Sequence, residues 1–390
     1  MSRDVLAQGV GTLTDSCDMS TQLPTPAVPY VSSLRRETLS RKASDASERL
    51  RQSPNDSAAL YELAEAYARM ERHSEAARAH RALLRADGRY ADLLADVDEA
   101  PVAGFIGGFD CTDCPVCGES DGELAWVGNI SSQVRTWGHL DPVRQWIRCS
   151  SCETLYVEAP PSKAALERWS AASSDPVQAT APDLNAFSAQ LDQVQSELDT
   201  IERLGFGTAW VDQAEAPIPR LLEVGCDWGS FLAAAEWRGF RPTGVTAPHQ
   251  ADWISTTLAM PCMDIDTRSG LVPEDLPAGE FDIVILRDGI DRAPDPVAVL
   301  ETASHRMAPD GLMVLQLALH DHPIHRLQGY DATHWSSPER RTFFTRQTLE
   351  LTLARAGLRT EEVRHPEGAP AGVALVFVRR DDMHDLFRTE

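Results

Sequence analysis

The sequence contains almost no lysine. Lys42 and Lys163 are the only lysines among 36 basic residues, and the arginines are scattered along the chain. The 59 acidic residues outnumber the basic ones and give a formal net charge of −23. Nucleic-acid binding depends on clustered lysines and arginines that neutralise phosphates. We therefore expect no nucleic-acid partner.

Long hydrophobic runs are also absent. No stretch approaches the roughly 18 consecutive apolar residues that a membrane helix needs. The first residues, "MSRDVLAQGVGTLTDSCDMS", lack the basic and apolar pattern of a signal peptide. With 43% hydrophobic residues over 390 positions, the chain is long enough for two or three folded domains. We expect a cytoplasmic protein that does not bind membranes.

The N-terminal part divides into two regions. Residues 1–40 mix Ser, Thr, Pro and Gly without a sustained period, which predicts a disordered or loosely attached N-terminus. Residues 41–98 are predicted to form a helical hairpin, with one apolar face on each helix. The apolar positions are Leu60, Leu63, Ala64 and Tyr67 in the first helix, and Ala76, Ala79 and Leu83 in the second.

This hairpin resembles a single tetratricopeptide repeat, in which small residues let the paired helices approach closely. One such repeat cannot bury its own apolar face. We therefore expect the hairpin to pack on a neighbouring domain, on a second copy of the chain in a homodimer, or on a protein partner.

Four of the eight cysteines occur as two Cys-x-x-Cys pairs. The pairs are Cys114 with Cys117 and Cys149 with Cys152. Four thiolates suit a tetrahedral zinc ion and leave no open position for catalysis. The spacing predicts a zinc ribbon over residues 108–160 that holds a structural zinc. Cys111 is an alternative ligand, and four buried cysteines without a metal are the alternative arrangement.

A helical connector is predicted at residues 161–215, and strand-like and helical segments then alternate through residues 216–390. The first strand, Arg220 to Val224, ends in a turn where Gly225 lets the backbone approach a ligand and Gly229 lets the next helix close onto the strand. Strand-like runs follow at "RPTGVTAP", "EFDIVILRD" and "GLMVLQLAL". This alternation predicts an α/β fold with a doubly wound, Rossmann-like parallel sheet, which binds ligands at the carboxyl ends of its strands.

The sequences of these segments and their order resemble those of class I S-adenosylmethionine-dependent methyltransferases. The matching segments are "LLEVGCDWGSFL", "GFRPTGVTAP", "EFDIVILRDGIDRAPDPVAVLETASHRMAPDGLMVLQL" and "HWSSPERRTFFTRQTLELTLARAGL". With the preceding zinc ribbon, the resemblance covers roughly Cys114 to Arg380. It implies S-adenosylmethionine as the cofactor and methyl transfer as the reaction.

The resemblance also implies which residues form the cofactor loop. The family pattern acid-x-Gly-x-Gly-x-Gly corresponds to Glu223, Gly225, Asp227 and Gly229, with Asp227 in place of the middle glycine. Aspartate tolerates the left-handed backbone conformation better than most residues. We therefore expect the turn to form, with the Asp227 carboxylate near the ammonium group of the cofactor.

Three further positions are implied to contact the cofactor. Thr246 stands where the family has the acid that binds the ribose hydroxyls. Asp264 and Asp266 are the candidates to bind the adenine amino group, because the family has an acid at the end of its third strand.

The acceptor side offers several candidates for catalysis. Asp288 follows the fourth strand and would border the site of methyl transfer. His320, His322 and His325 follow the fifth strand, where one of them could act as a base or contact the substrate. They could equally be solvated loop residues, or could bind a metal together with Asp321.

Two arginines depart from the family pattern. Arg292 and Arg340 stand where the family often has histidine. Arginine does not give up its proton near neutral pH, but its charge could hold an anionic substrate.

These residues predict an enzyme that methylates a small molecule or biosynthetic intermediate on O, N or C by in-line transfer. A base is needed only if the acceptor carries a proton. One alternative is a degenerate methyltransferase that serves as a binding or scaffold subunit, which the departures at Thr246, Arg292 and Arg340 would suit. A sugar C-methyltransferase, which shares the ribbon, is a further alternative.

Overall fold

A computed structural model describes residues 33–70, 72–86, 113–129, 143–158, 181–206, 218–264, 278–287, 289–328, 340–366 and 372–381. These residues form a group of N-terminal helices, a small antiparallel sheet and a large, mostly parallel sheet. We number helices and strands in chain order.

Three helices come first: α1 at Ser33–Gln52, α2 at Ser57–Arg69 and α3 at His73–Ala86. Asp56 caps α2, since its side chain accepts a hydrogen bond from the Ala59 amide at 3.0 Å. The start of α1 corrects the prediction of a loose chain up to residue 40. Residues 33–40 are helical, and α1 packs against α2. Residues 1–32 and 87–98 lie outside the described residues.

Both predicted cysteine knuckles lie in turns next to the strands of the small sheet. Its strands are β1 at Gly122–Asn129, β2 at Val143–Cys149, β3 at Leu155–Val157 and β9 at Thr342–Phe343, in the order β1-β2-β3-β9. All pairs are antiparallel. The fourth strand, β9, comes from a distant part of the chain. We call this the ribbon sheet.

One face of the ribbon sheet packs on the N-terminal helices. Trp126, Trp146 and Phe343 of this face form an apolar cluster with Leu60 of α2 and Leu83 of α3. The helices therefore bury their apolar face on a neighbouring part of the same chain, one of the arrangements that the sequence predicts.

The connector consists of helices α4 at Leu184–Gln193 and α5 at Gln195–Ile201, followed by a π-helical turn at Glu202–Phe206. Leu198 and Ile201 of α5 are fully buried against the large sheet.

The large sheet has seven strands in the order β10-β11-β8-β7-β4-β5-β6. They are β4 at Arg220–Val224, β5 at Arg241–Thr246, β6 at Cys262–Asp264, β7 at Phe281–Arg287, β8 at Met307–Ala318, β10 at Leu358–Arg364 and β11 at Val373–Arg380. Strands β4 to β8 are mutually parallel, and β11 is antiparallel to both of its neighbours. The predicted Rossmann-like sheet is confirmed.

Helices cover both faces of this sheet. They are α6 at Ser230–Trp237, α7 at Pro248–Trp253 with a π-helical turn at Ile254–Leu258, α8 at Pro296–Arg306, α9 at Pro323–Gln328 and α10 at Arg346–Arg355. Leu300 of α8 and Leu353 of α10 lie in the core on one face, and Phe231 of α6 lies with α5 on the other.

The ribbon sheet is joined to the large sheet at the end of β8. Leu319, directly after β8, forms a parallel bridge with Phe344, directly after β9. The Arg355 side chain of α10 also donates to the Val116 carbonyl in the first cysteine knuckle. Within the described residues, no helix combines the length and apolar content needed to span a bilayer.

Candidate functional site

The strand order creates a crevice beside β4. The chain runs from β4 outward to β5 and β6, returns to the other side of β4 as β7, and continues to β8. Open α/β sheets bind ligands at such a reversal, outside the carboxyl ends of the strands. The loops after β4 and β7 therefore border the candidate site.

The turn after β4 has backbone angles that suit its residues. Gly225, Asp227 and Gly229 have φ angles of +84°, +47° and +77°. Asp227 thus adopts the predicted left-handed conformation. A Cβ atom at Gly225 would lie 2.9 Å from the Arg287 carbonyl oxygen. Gly225 therefore lets the turn pack closely against strand β7.

Glu223 is bound by an arginine of the neighbouring strand. Its side chain is 1% exposed and accepts a hydrogen bond from Nε of Arg287. The Arg287 guanidinium also bonds Glu197 of α5 and Gln316 of β8. Burial raises the pKa of Glu223, and the charge of Arg287 opposes this shift. Arg287 therefore connects β4, β7, β8 and the connector next to the crevice.

Thr246, at the end of β5, belongs to a hydrogen-bond chain that reaches the loop after β4. Its buried hydroxyl donates to Oε1 of Gln250 at 2.7 Å. Nε2 of Gln250 donates in turn to Oδ1 of Asp227 at 2.5 Å. Asp227 is exposed. The crevice therefore has a carboxylate at this edge, although β5 itself ends in threonine.

The other predicted cofactor acids are only partly described. Asp264 ends β6, is exposed and pairs in register with Thr246, so it lies at the same edge of the sheet. Asp266 and the predicted catalytic Asp288 lie outside the described residues.

A buried ion pair joins the loop after β7 to the segment before β9. Nε of Arg340 lies 2.8 Å from Oδ2 of Asp291, and the two side chains are 14% and 3% exposed. The Asp291 carbonyl also accepts hydrogen bonds from the Arg341 and Thr342 amides at 2.8 and 3.0 Å. Asp291 thus engages Arg340, against the hypothesis that this arginine holds an anionic substrate.

His320 lies at the carboxyl end of β8, against the ribbon sheet. Its ring stacks on Phe343 with 5.2 Å between centroids, and Phe343 stacks on Trp146 at 4.2 Å. Burial, aided by neighbouring cationic groups, lowers the pKa of His320 to about 3. A base works best with a pKa near the operating pH, so His320 is a weak proton acceptor.

His322 and His325 are engaged by other groups. Burial lowers the pKa of His325, and a Cβ at Gly372 would lie 2.3 Å from its Nε2, so this glycine makes room for the ring. Nδ1 of His322 accepts a hydrogen bond from the Ile324 amide at 3.3 Å. That bond leaves the proton of the neutral ring on Nε2. Both rings are therefore held in place by contacts within the chain.

The four predicted metal ligands come together. Sγ of Cys114 lies 3.6 Å from that of Cys152, and Sγ of Cys117 lies 3.4 Å from that of Cys149. All four sulfurs lie within 4.8 Å of one another, and no other group of described histidines, cysteines and acids is arranged to hold a metal. Sulfurs about 2.3 Å from a tetrahedral zinc are roughly 3.8 Å apart. The cluster fits zinc, and the alternative ligand Cys111 lies outside the described residues.

Three residues at the site were not singled out from the sequence. Gln250 stands four positions after Thr246 at the start of a helix, a spacing that lets its side chain turn back towards the strand end. Arg287 ends the strand that borders the crevice, a position that could have indicated its role. Arg148 of β2 acts on His320 only through the packing of the ribbon sheet, which no local pattern indicates.

The part of the chain that contains the crevice matches a known protein family. Residues 178–363, just under half of the 390 residues, match a family described as a methyltransferase domain. No curated protein sequence matches the chain. The matched range includes every cofactor and catalytic residue that the sequence predicts.

Several solved structures are similar at low identity. The mitomycin 7-O-methyltransferase is 20% identical, with 42% of this chain and 49% of that chain covered and a TM-score of 0.34. A possible histamine N-methyltransferase from Thermotoga maritima is 16% identical over 56% and 95%, with a TM-score of 0.34. The 1,6-didemethyltoxoflavin-N1-methyltransferase of Burkholderia thailandensis is 17% identical over 62% and 98%, with a TM-score of 0.38. The chain spans about half the length of the first of these proteins.

Proposed function

From the premise that residues 178–363 form a methyltransferase domain, we propose that this enzyme is a class I S-adenosylmethionine-dependent methyltransferase that binds its cofactor in the crevice beside β4 and methylates a small molecule on O, N or C. The observation that carries the proposal is the hydrogen-bond chain from Thr246 through Gln250 to Asp227, at the edge where a nucleoside would bind. It supplies a carboxylate where the sequence lacks the expected strand-end acid.

The residues around the crevice suit the cofactor. We assign the turn Gly225 to Gly229 to its amino-acid part, Asp227 to the ribose hydroxyls and Asp264 to the adenine amino group. Glu223 acts indirectly, because Arg287 binds its carboxylate and fixes the start of the turn. S-adenosylmethionine would supply an activated methyl group on a positively charged sulfur.

The acceptor would lie between the loop after β7 and the end of β8. His320, His322 and His325 border this region, and their contacts suit them to orient an acceptor. Orientation of two reactants supplies much of the rate when the donor is already activated. The Asp291–Arg340 ion pair holds the loop in place.

We further propose that Cys114, Cys117, Cys149 and Cys152 hold a structural zinc. Four thiolates would close its coordination sphere, so its role is to fold the ribbon sheet. Reduced thiolate ligands suit a cytoplasmic location. We expect neither nucleic acid nor membranes as partners. A homodimer or a protein partner that binds through the helical hairpin stays a prediction.

Calorimetric titration with S-adenosylhomocysteine tests the proposal. We expect a micromolar dissociation constant, about −8 kcal/mol, and transfer of label from methyl-labelled S-adenosylmethionine to members of a panel of phenols, amines and carboxylic acids. Undetectable binding at millimolar ligand would contradict the methyltransferase proposal. Binding without transfer to any acceptor would favour the degenerate scaffold.

A further inference from the structure

We propose that Arg148 of the ribbon sheet binds a carboxylate group of the methyl acceptor, so that the ribbon determines which acceptors the enzyme takes. This inference rests on the proposed methyl transfer at the same edge of the large sheet. It adds an acceptor-binding residue from outside the matched methyltransferase range.

The position of Arg148 follows from the register of the ribbon strands. Arg148 lies two residues after Trp146 on β2, so both side chains leave the same face of the sheet. Arg148 pairs with Leu155, and Leu155 pairs with Phe343. Phe343 stacks between Trp146 and His320. Arg148 is therefore on the face that meets His320 at the end of β8.

This face is fixed relative to the crevice. The Leu319–Phe344 bridge attaches the edge of the ribbon sheet to the carboxyl end of β8, and the ion pair of Asp291 with Arg340 attaches it to the loop after β7. The charge of Arg148 is also among the causes that lower the pKa of His320, which indicates that the two groups are close.

Arg148 differs from Arg287 and Arg340 in having no acidic partner among the residues that the structure describes. Arg287 is bound by Glu223, and Arg340 by Asp291. Nε of Arg148 is buried and makes no hydrogen bond to any residue that the structure describes. Glu123, opposite Arg148 on β1, is exposed and makes no ion pair with it. A buried donor without an acceptor is unfavourable, so a ligand that supplies one would be bound.

The charge balance indicates a monoanion. One guanidinium is unpaired here, and the neighbouring His320 is neutral at physiological pH. A guanidinium binds a carboxylate through two parallel hydrogen bonds. The stacked rings of Phe343 and His320 beside it suit a planar acceptor. An aromatic carboxylate satisfies both conditions.

Ligand-observed NMR titrations can test this with the full chain, loaded with zinc and saturated with S-adenosylhomocysteine. The probes are benzoate and its neutral isostere benzamide, each up to 10 mM, about the limit for weak ligands. The variants are Arg148→Gln and Arg148→Lys, with Arg241→Gln as the control because Arg241 is exposed at the start of β5. Zinc content and a melting curve check that each variant folds.

We expect the wild type and Arg241→Gln to bind benzoate at least tenfold more tightly than benzamide, since hydrogen bonds to charged groups are strong. Arg148→Gln should remove this preference, and Arg148→Lys should reduce it at least threefold, because lysine lacks the two-pronged geometry. If Arg148→Gln does not fold, the lysine variant decides.

Absence of benzoate binding in the wild type, or an unchanged preference in a folded Arg148 variant, would overturn the assignment. Titration of the same samples with S-adenosylhomocysteine separates the two proposals. Cofactor binding without a preference for the carboxylate contradicts only the role of Arg148. Loss of cofactor binding in the wild type contradicts the proposed function itself.

Discussion

Asp291 and Arg340 form a buried ion pair in which Nε and Oδ2 are 2.8 Å apart. Arg340 also lies 5.7 Å from the ring centroid of Phe343 in β9. The pair therefore connects the loop that borders the crevice with the strand that completes the ribbon sheet. Arg340 stands at a position where the methyltransferases that this chain resembles often have histidine. In this chain, Asp291 pairs with the arginine at that position. Such a pair is a structural contact and not an acid–base group.

The effects of substitutions at Asp291 and Arg340 on the free energy of unfolding should be strongly coupled. Replacing one partner of a buried pair leaves an unpaired charge and typically costs about 3–5 kcal/mol. We expect Arg340→Met to lower the free energy of unfolding by roughly 3 kcal/mol in urea denaturation. The double variant Asp291→Asn with Arg340→Met should lose less than the sum of the two single variants. Additive losses would show that the two side chains do not interact.

Zinc should be essential for the ribbon sheet. Purified protein should contain about one zinc per chain by elemental analysis. Cys149→Ser should remove the metal and lower the melting temperature, because binding energy at a structural site is folding energy. Cys226→Ser is the matched control, since Cys226 is also buried but lies in the turn after β4. Protein purified without chelators that contains no zinc would refute the assignment.

The ribose assignment predicts a specific coupling between Asp227 and the cofactor. Asp227→Asn should weaken the binding of S-adenosylhomocysteine by about tenfold, the loss of affinity expected for one charged hydrogen bond. The same substitution should have little effect on the binding of at least one of the two analogues that lack a ribose hydroxyl, 2′-deoxy- and 3′-deoxy-S-adenosylhomocysteine. Calorimetry measures all combinations, with Asp252→Asn as an exposed control. Equal losses of affinity for the parent ligand and both analogues would show that Asp227 does not bind the ribose hydroxyls.

The orientation of Asp227 depends on its neighbours. Thr246→Val removes the hydroxyl that donates to Gln250, and Gln250→Ala removes the contact with Asp227. Both substitutions should weaken the binding of S-adenosylhomocysteine less than Asp227→Asn does, because they disturb the position of the carboxylate without removing it. A larger loss in Thr246→Val would indicate that the threonine binds the ribose directly.

Local patterns in the sequence predicted much of the fold. Strand β4 has the predicted bounds, Arg220–Val224, because an apolar run is followed by a glycine that needs a positive φ. The paired cysteines predicted the cluster, since each knuckle is formed by neighbouring residues. The start of α1 was missed because its helical sequence is polar, and contact with α2 contributes to its stability.

Contacts between distant segments could not be predicted in the same way. Strand β9 contains two residues, Thr342 and Phe343, and only its pairing with β3 makes it a strand. The position of Arg148 beside His320 depends on that pairing. The role of Arg287 likewise depends on Glu197, which belongs to a connector whose packing the sequence does not specify.

His80 should make the stability of the protein depend on pH. This residue of α3 is fully buried, and neither ring nitrogen has a hydrogen-bond partner among the described residues. Burial lowers its pKa from 6.5 to about 4. Between these values the unfolded chain binds the proton and the folded chain does not, so stability falls as the pH falls from 6.5 towards 4. The full difference amounts to roughly 3 kcal/mol.

Urea denaturation at pH 7 and pH 4.5 can isolate this contribution. The half-buried His320 and the cysteine cluster also respond to acid, so the informative quantity is the difference between the wild type and His80→Leu. We expect His80→Leu to lose about 2 kcal/mol less than the wild type between the two pH values, because leucine fills the apolar site without taking up a proton. His305→Gln, a change at an exposed histidine, should follow the wild type. If His80→Leu loses as much stability as the wild type, His80 either keeps its ordinary pKa or is solvated in solution.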